Sequence, residues 1–401
     1  MIEGLRAQAS QLQPHLVELR RALHRIPEQG LQLPKTQEMV LASLDGLGLE
    51  VTTGKALTSV TAVLRGAAPG PTVLLRGDMD ALPVEEQNDL PYISEHPGVM
   101  HACGHDLHTA MLVGAARLLS ANRDALCGDV IFMFQPGEEG YDGAQLMIDE
   151  GVLEATGTAP TRAYGIHVKS STYPAGTFAT KPGAFMASAD EMWVTVRGAG
   201  GHGSAPHRAK DPVPAAAEMI LGLQTAVTRQ FDVFDPTIVT TGFVQAGSRA
   251  NIIPDRAHFQ STFRCFSAET RARVKTAAER VCTGVAAAHG VSVDTEYRPG
   301  YPMTINDVDA AAEVAATARE VFGGERFEVM AAPAGGAEDF SRILERVPGC
   351  YLYLGATPPD AGPSPADNHS GLAIFDDSVL ADGSLMHAVL AAQALSPAGH
   401  R

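Results

Sequence analysis

The chain reads as an α/β protein: an open sheet flanked by helices, with a compact α+β unit inserted into it. Three observations predict this class. Helical segments alternate with short apolar runs through the first part of the chain. Several of those runs lead into acids or histidines, as happens where an α/β sheet gathers a ligand beyond the carboxyl ends of its strands. From Asp190 the order changes to β-α-β-β-α-β, the pattern of a ferredoxin-like unit.

Taken in order, residues 4–25 form an amphipathic helix with Leu12, Leu16, Leu19 and Leu23 on one stripe, ended by His24-Arg-Ile-Pro27. A second helix spans 36–47 and stops at Gly48. Strands follow at 50–53 and 59–65. Residues 71–77 form a strand that runs into Asp78 and Asp80. A helix over 109–122 opens after the turn Met100-His-Ala-Cys-Gly-His-Asp106. The strand at 129–135 leads into Pro136-Gly-Glu-Glu-Gly140, and a helix covers 143–150. The strand at 162–166 runs into His167.

In the inserted unit, a strand (190–197), a Gly-rich loop (198–206) and a helix (211–230) come first. Strands at 237–246 and 255–265, a helix at 268–289 and a strand at 291–298 follow. Afterwards come a helix over 307–322 and a tight loop, Gly335–Phe340, with Glu338 and Asp339 in the first turn of a further helix. A strand at 350–356, a Pro-rich loop reaching Asn368-His369, and a helix over 377–395 complete the chain. The expected domains are therefore 1–185 with 299–401, and 186–298.

The length of 401 residues suits two domains, and 45% hydrophobic with 19% charged residues excludes a disordered chain. A net charge of −16 leaves no basic excess for phosphates or an anionic membrane surface. The five cysteines, at 103, 127, 265, 282 and 350, are scattered and odd in number, which argues against a disulfide framework. The first residues lack the basic-then-apolar pattern of an export signal, and no apolar run approaches the roughly 18 residues of a membrane span, so a cytoplasmic protein is expected.

The chemistry sits in a few short segments of the chain. Cys103 and His105, one residue apart at a turn, can share a metal ion; their alternative reading is a buried thiol and a capping imidazole. His101 and His108 beside them are taken as structural. Glu138 and Glu139 cannot both point the same way, which suggests one metal ligand and one general base. Asp78 and Asp80 are costly at the end of a buried strand unless paired, and Asp80 suits the orienting of a ligand imidazole. His167 and His369 join the set by their places beyond strands. In the inserted unit, His202 in Gly200-Gly-His-Gly-Ser204 can donate to an oxyanion, and Arg264 can pair with a substrate carboxylate or form a surface ion pair.

Together, Leu23-His-Arg-Ile-Pro-Glu28, Arg76-Gly-Asp-Met-Asp-Ala-Leu-Pro83, His101-Ala-Cys-Gly-His-Asp106, Gln135-Pro-Gly-Glu-Glu-Gly140, Gly200-Gly-His-Gly-Ser204 and Asn251-Ile-Ile-Pro-Asp255 occur in an order that resembles the metal-dependent amidohydrolases. That group includes aminoacylases, hippurate hydrolases and auxin-conjugate hydrolases, and is related to carboxypeptidase G. The resemblance covers nearly the whole chain and implies a two-metal site (Zn, Mn, Co or Ni) held by Cys103, His105, Glu139, His167 and His369. It implies Glu138 as general base and Asp80 as the acid that orients the metals. The inserted unit would be a lid that also forms a homodimer, with His202, Asn251 and Arg264 reaching the substrate. The Pro-rich approach to His369 is longer here than in many relatives. The expected function is hydrolysis of the amide of an N-acyl amino acid, hippurate-like or related. The alternatives are a dipeptidase or exopeptidase of the same group, and a silent metal-binding scaffold, which the presence of Glu138 disfavours.

Overall fold

The computed structural model describes residues 2–396 and divides into two units. One comprises Met1–Phe185, Ile305–Ala332 and Asp339–Arg401; the other comprises Met186–Thr304 and Pro333–Glu338.

The first unit opens with helices α1 (Ile2–Arg25) and α2 (Pro34–Leu44), then strands β1 (Glu50–Thr53), β2 (Val60–Arg65) and β3 (Ala68–Asp78). Helix α3 (His105–Ala121), β4 (Cys127–Gln135), α4 (Gly143–Asp149), β5 (Arg162–Pro174), β6 (Phe178–Thr180) and β7 (Gly183–Met186) follow. The apolar stripe of α1 is real: Leu16, Leu19 and Leu23 are buried, joined by Leu5 and Ala9.

The inserted unit runs β8 (Asp190–Arg197), β9 (Gly201–His202), α5 (Pro212–Gln230), β10 (Thr237–Ala246), β11 (Ile252–Ile253), β12 (Arg256–Cys265), α6 (Ala268–His289) and β13 (Ser292–Pro299). Its sheet has the antiparallel order β10-β12-β8-β13. Met192, Val194 and Val196 alternate inward from β8 and pack in one core with residues of α5 and α6. Asp211 and Ser267 cap the two helices, each accepting a backbone N–H (from Val213 and Thr270).

The chain then adds β14 (Thr304–Asn306), α7 (Val308–Phe322), β15 (Phe327–Val329), α8 (Ser341–Leu344), β16 (Gly349–Thr357) and α9 (Leu380–Ala394). The large sheet has the order β1-β2-β4-β3-β5-β16-β6-β15, and its central strands β4, β3, β5 and β16 are parallel. They are buried on both faces and read as near-continuous apolar runs. From β3 the chain crosses to β4 on one side and then to β5 on the other. That reversal places a crevice at the carboxyl ends of these strands. Helix α3 packs against α1 and α9; at Gly114 a side chain would meet Ser384 Oγ 2.1 Å away, so only glycine permits the close approach.

Two expectations need correcting. Helix α3 begins at His105, not at 109, because Gly104 (φ 85) makes the sharp turn that starts it. Strand β5 does not stop before His167; it continues to Pro174, since β16 pairs with it through Tyr353↔His167 and, after a bulge, Thr357↔Pro174. His167 is therefore a mid-strand residue.

Candidate metal centre

The turn Cys103-Gly104-His105 presents a thiol and the first side chain of α3 to the crevice. A Cβ on Gly104 would sit 2.4 Å from Val168 Cγ2, so the turn lies tight against β5. Cys103 Sγ is 3.4 Å from His167 Nε2 and 3.2 Å from His369 Nε2. His369 Nε2 is also 3.2 Å from Glu139 Oε1. His105 Nε2 stands 4.0 Å from carboxylate oxygens of both Glu138 and Glu139. Overlapping groups of possible ligand atoms, each within 4.8 Å, share these residues, among them Cys103–His105–His167, Cys103–Glu139–His369, His105–Glu138–Glu139 and Asp78–His105–His108.

The histidine tautomers follow from their partners. His167 Nδ1 donates to Val168 O at 2.7 Å, which leaves the Nε2 lone pair facing Cys103. His108 Nε2 accepts the Val168 N–H at 2.8 Å, so its Nδ1 carries the proton and donates to Asp78 Oδ1 at 2.5 Å. His108 is thereby a strut between two strands, in line with its structural reading. His101 is buried, and neither of its ring nitrogens is hydrogen-bonded. Burial pushes its pKa down to about 3.

The residues fit a divalent cation. His105 is fully buried, yet neither ring nitrogen makes a hydrogen bond. Ligands held about 2.1 Å from a tetrahedral ion stand about 3.4 Å from one another, close to the separations around Cys103 and His369. The field agrees. Burial opposes charging His105, but Asp78 and Cys103 outweigh it and hold its pKa well above the usual value. The bonds to Cys103 and Glu139 raise that of His369 to about 10. Burial alone would raise Glu139, yet His369 and His105 hold it low. A pocket that favours protons on two imidazoles favours a metal cation for the same reason. In His167 burial prevails, with the nearby His108 and Lys169, and holds its pKa well below the usual value, so this ring is a neutral donor.

The supports were less visible in the sequence. Asp80 accepts the backbone N–H groups of Glu138 and Glu139, each at 3.0 Å, and stands 3.5 Å from His105 Nδ1. Asn368 was read only as the neighbour of His369. Its Nδ2 donates to Cys103 O (3.1 Å) and Val168 O (3.0 Å), and its Oδ1 accepts Ser170 N–H (3.0 Å). Asp339 was expected in a helical first turn. Helix α8 spans only Ser341–Leu344, and the Asp339 carboxylate instead accepts from Arg76, Gln135 and Ala144. The signal for this network was a charged Arg76 inside an apolar strand.

In the inserted unit, β9 and β11 form a small ribbon that pairs His202 with Ile252, and Gly203 N–H donates to Asn251 O at 2.9 Å. His202 is exposed, and its Nδ1 accepts the Ser204 N–H at 3.1 Å. Arg264, next to last in β12, donates to Thr262 Oγ1 at 2.5 Å and Phe263 O at 3.1 Å; burial lowers its pKa. Among the described residues no helix is long and apolar enough to cross a membrane.

The sequence matches the model of peptidase family M20/M25/M40 over residues 74–391. It is 38% identical over 395 residues to thermostable carboxypeptidase 1 of Saccharolobus solfataricus, with 98% of each chain covered. It is 37% identical to N-acetylcysteine deacetylase of Bacillus subtilis, covering 85% of this chain and 88% of that one. The solved structure of the Bacillus subtilis YXEP protein, described as a dinuclear metal-binding peptidase of the M20 family, matches with a TM-score of 0.82 at 32% identity. That match covers 96% of this chain and 99% of the other.

Proposed function

The chain belongs to peptidase family M20/M25/M40 and is a metal-dependent amidohydrolase, and we propose that its substrates are N-acyl amino acids, cleaved to a carboxylate and a free amino acid. The observation that carries this reading is the convergence of Cys103, His105, Glu138, Glu139, His167 and His369 in groups of donor atoms within 4.8 Å of one another.

Cys103, His105, Glu139, His167 and His369 would hold two divalent ions, with Zn, Mn, Co and Ni all compatible with the sulfur, nitrogen and oxygen donors. When bound, those ions supply the positive charge that polarises the amide carbonyl and makes water acidic enough to attack near neutral pH. Glu138 takes the proton from the attacking water and returns it to the leaving nitrogen. Asp80 fixes the turn that carries Glu138 and Glu139 by accepting both N–H groups. The Ser204 N–H occupies His202 Nδ1, so a neutral ring carries its proton on Nε2, ready to donate to the developing oxyanion. Arg264 has two neutral partners among the described residues, which suits a substrate carboxylate, and Asn251 binds the substrate beside His202.

The carboxypeptidase relative favours a second reading, removal of a residue from a free peptide. A panel on metal-reconstituted enzyme separates the two: acetyl-, benzoyl- and long-acyl amino acids beside unblocked dipeptides. The proposal expects the acylated compounds to have the higher kcat/KM; faster cleavage of unblocked dipeptides overturns it in favour of the peptidase. We further propose that the inserted unit closes over the site and forms a homodimer. Mixing inactive His202→Ala with inactive Glu138→Gln then restores activity if His202 serves the neighbouring site; verified hybrids without recovery place its action within one subunit or nowhere.

A further inference from the structure

We propose that Asp339 is a positioning residue for Glu138, holding both stems of the turn that carries it. This rests on the reading of Glu138 as general base.

Asp339 is fully buried, and its carboxylate accepts from three neighbours. Oδ1 accepts from Arg76 Nη2 at 2.9 Å and from Gln135 Nε2 at 2.8 Å; Oδ2 accepts from Gln135 Nε2 at 2.7 Å and from the Ala144 N–H at 2.9 Å. Gln135 is the last residue of β4, and Ala144 lies in the first turn of α4. These are the entry and exit of the turn bearing Glu138 and Glu139, so one side chain ties both stems together. Asp80 ties the same turn at its apex.

The turn needs such ties. Gly137 (φ 76) and Gly140 (φ 87) bracket the two glutamates, and glycine restricts the backbone least. The orientation of the Gln135 amide is also fixed, because its Oε1 accepts Arg76 Nε at 2.9 Å. Its NH₂ must therefore face Asp339. A carboxylate accepts from all three neighbours at once, whereas an amide in its place turns an NH₂ toward another donor. A carboxylate oxygen of Asp339 lies within 4.8 Å of one of Glu138, so a shift of the stems is felt at the base without an intervening layer. Misplacing a reacting group by about 1 Å costs roughly 10²-fold in rate.

The experiment uses the metal-loaded enzyme and the best acylated substrate from the panel. Bound metal, circular dichroism, kcat and KM are measured for wild type, Asp339→Asn, Glu138→Gln and the double variant. The proposal expects Asp339→Asn to keep its metal and fold, with KM within threefold and kcat down about 100-fold. In the Glu138→Gln background the same change adds nothing, because a residue acting through Glu138 has no further effect once Glu138 is gone. A kcat within threefold of wild type overturns the proposal. So does a loss that merely tracks missing metal or unfolded protein, or an equal further loss in the double variant. Should Asp339→Asn fail to fold, Gln135→Met, which removes the amide contacts to Asp339 and Arg76 at similar volume, is expected to lower kcat about tenfold at unchanged KM; unchanged kcat overturns the proposal. Turnover by Glu138→Gln alone overturns the general-base reading and the proposal with it, a result distinct from failure at Asp339 only.

Discussion

Cys103 Sγ lies 3.2 Å from His369 Nε2, a contact closed across 266 residues of chain. It depends on an uncommon backbone: His369 has φ 72, and its N–H is held by Ala102 O at 2.8 Å. A non-glycine residue in that region costs on the order of 1 kcal/mol, and such positions cluster at functional sites. The proposed role of both side chains as metal ligands would account for that cost.

The thiol at 103 should then be a deprotonated ligand, shielded while metal is bound. Alkylation followed by peptide mapping should label it only after a chelator is added. Cys127 opens β4 and is partly exposed, so it should label in both conditions. Burial pushes Cys265 up to about 11, and Cys282 and Cys350 up to about 12, so these should stay unlabelled throughout. Equal labelling of Cys103 with and without metal removes it from the site.

Asn368→Ala should weaken metal binding without removing a ligand. Its amide joins the Cys103 turn, β5 and the His369 loop, and supports of this kind are worth about 10–100-fold in affinity. Competition with a chelator of known affinity reads this directly. An unchanged affinity shows that the loop is held by other contacts.

A buried charged cluster lies under α1. Arg20 Nε is 2.8 Å from Asp106 Oδ2, and His24 Nδ1 is 2.7 Å from the same oxygen, with His24 Nε2 3.1 Å from Glu86. Burial works against a charged His24, but Asp106 and Glu86 outweigh it and raise its pKa. A pKa raised in the folded state stabilises fully below the unfolded value of about 6.5, and that stability is lost as pH rises through the higher folded value. His24→Gln should therefore cost about 3 kcal/mol at pH 6 and visibly less at pH 9, measured by denaturant unfolding at fixed metal. A cost that grows with pH contradicts the sign.

Much of this was legible in the sequence because it depends on local pattern. The apolar strands before Asp78 and Glu138, and the β-α-β-β-α-β order after Asp190, are set by residues close together in the chain. What was not legible depends on distant partners. His167 was placed beyond its strand, since nothing between 166 and 174 reveals that β16, nearly two hundred residues later, extends the pairing. Strands β6 and β15, three residues each, are too short to show a period; β6 is fixed by its pairing with β16 and β15, and β15 by its pairing with β6. Asp339 carried a helix-start pattern, but its partners Arg76 and Gln135 lie on β3 and β4.

The central claim is that the metals and the proton transfer belong to different carboxylates of one turn. Glu138→Gln tests it most directly, through metal content and turnover measured on the same sample. The account predicts two bound divalent ions per chain, as in wild type, with kcat lowered about 10²–10⁴-fold. Turnover within a few-fold of wild type, or loss of activity only in step with loss of metal, would contradict it.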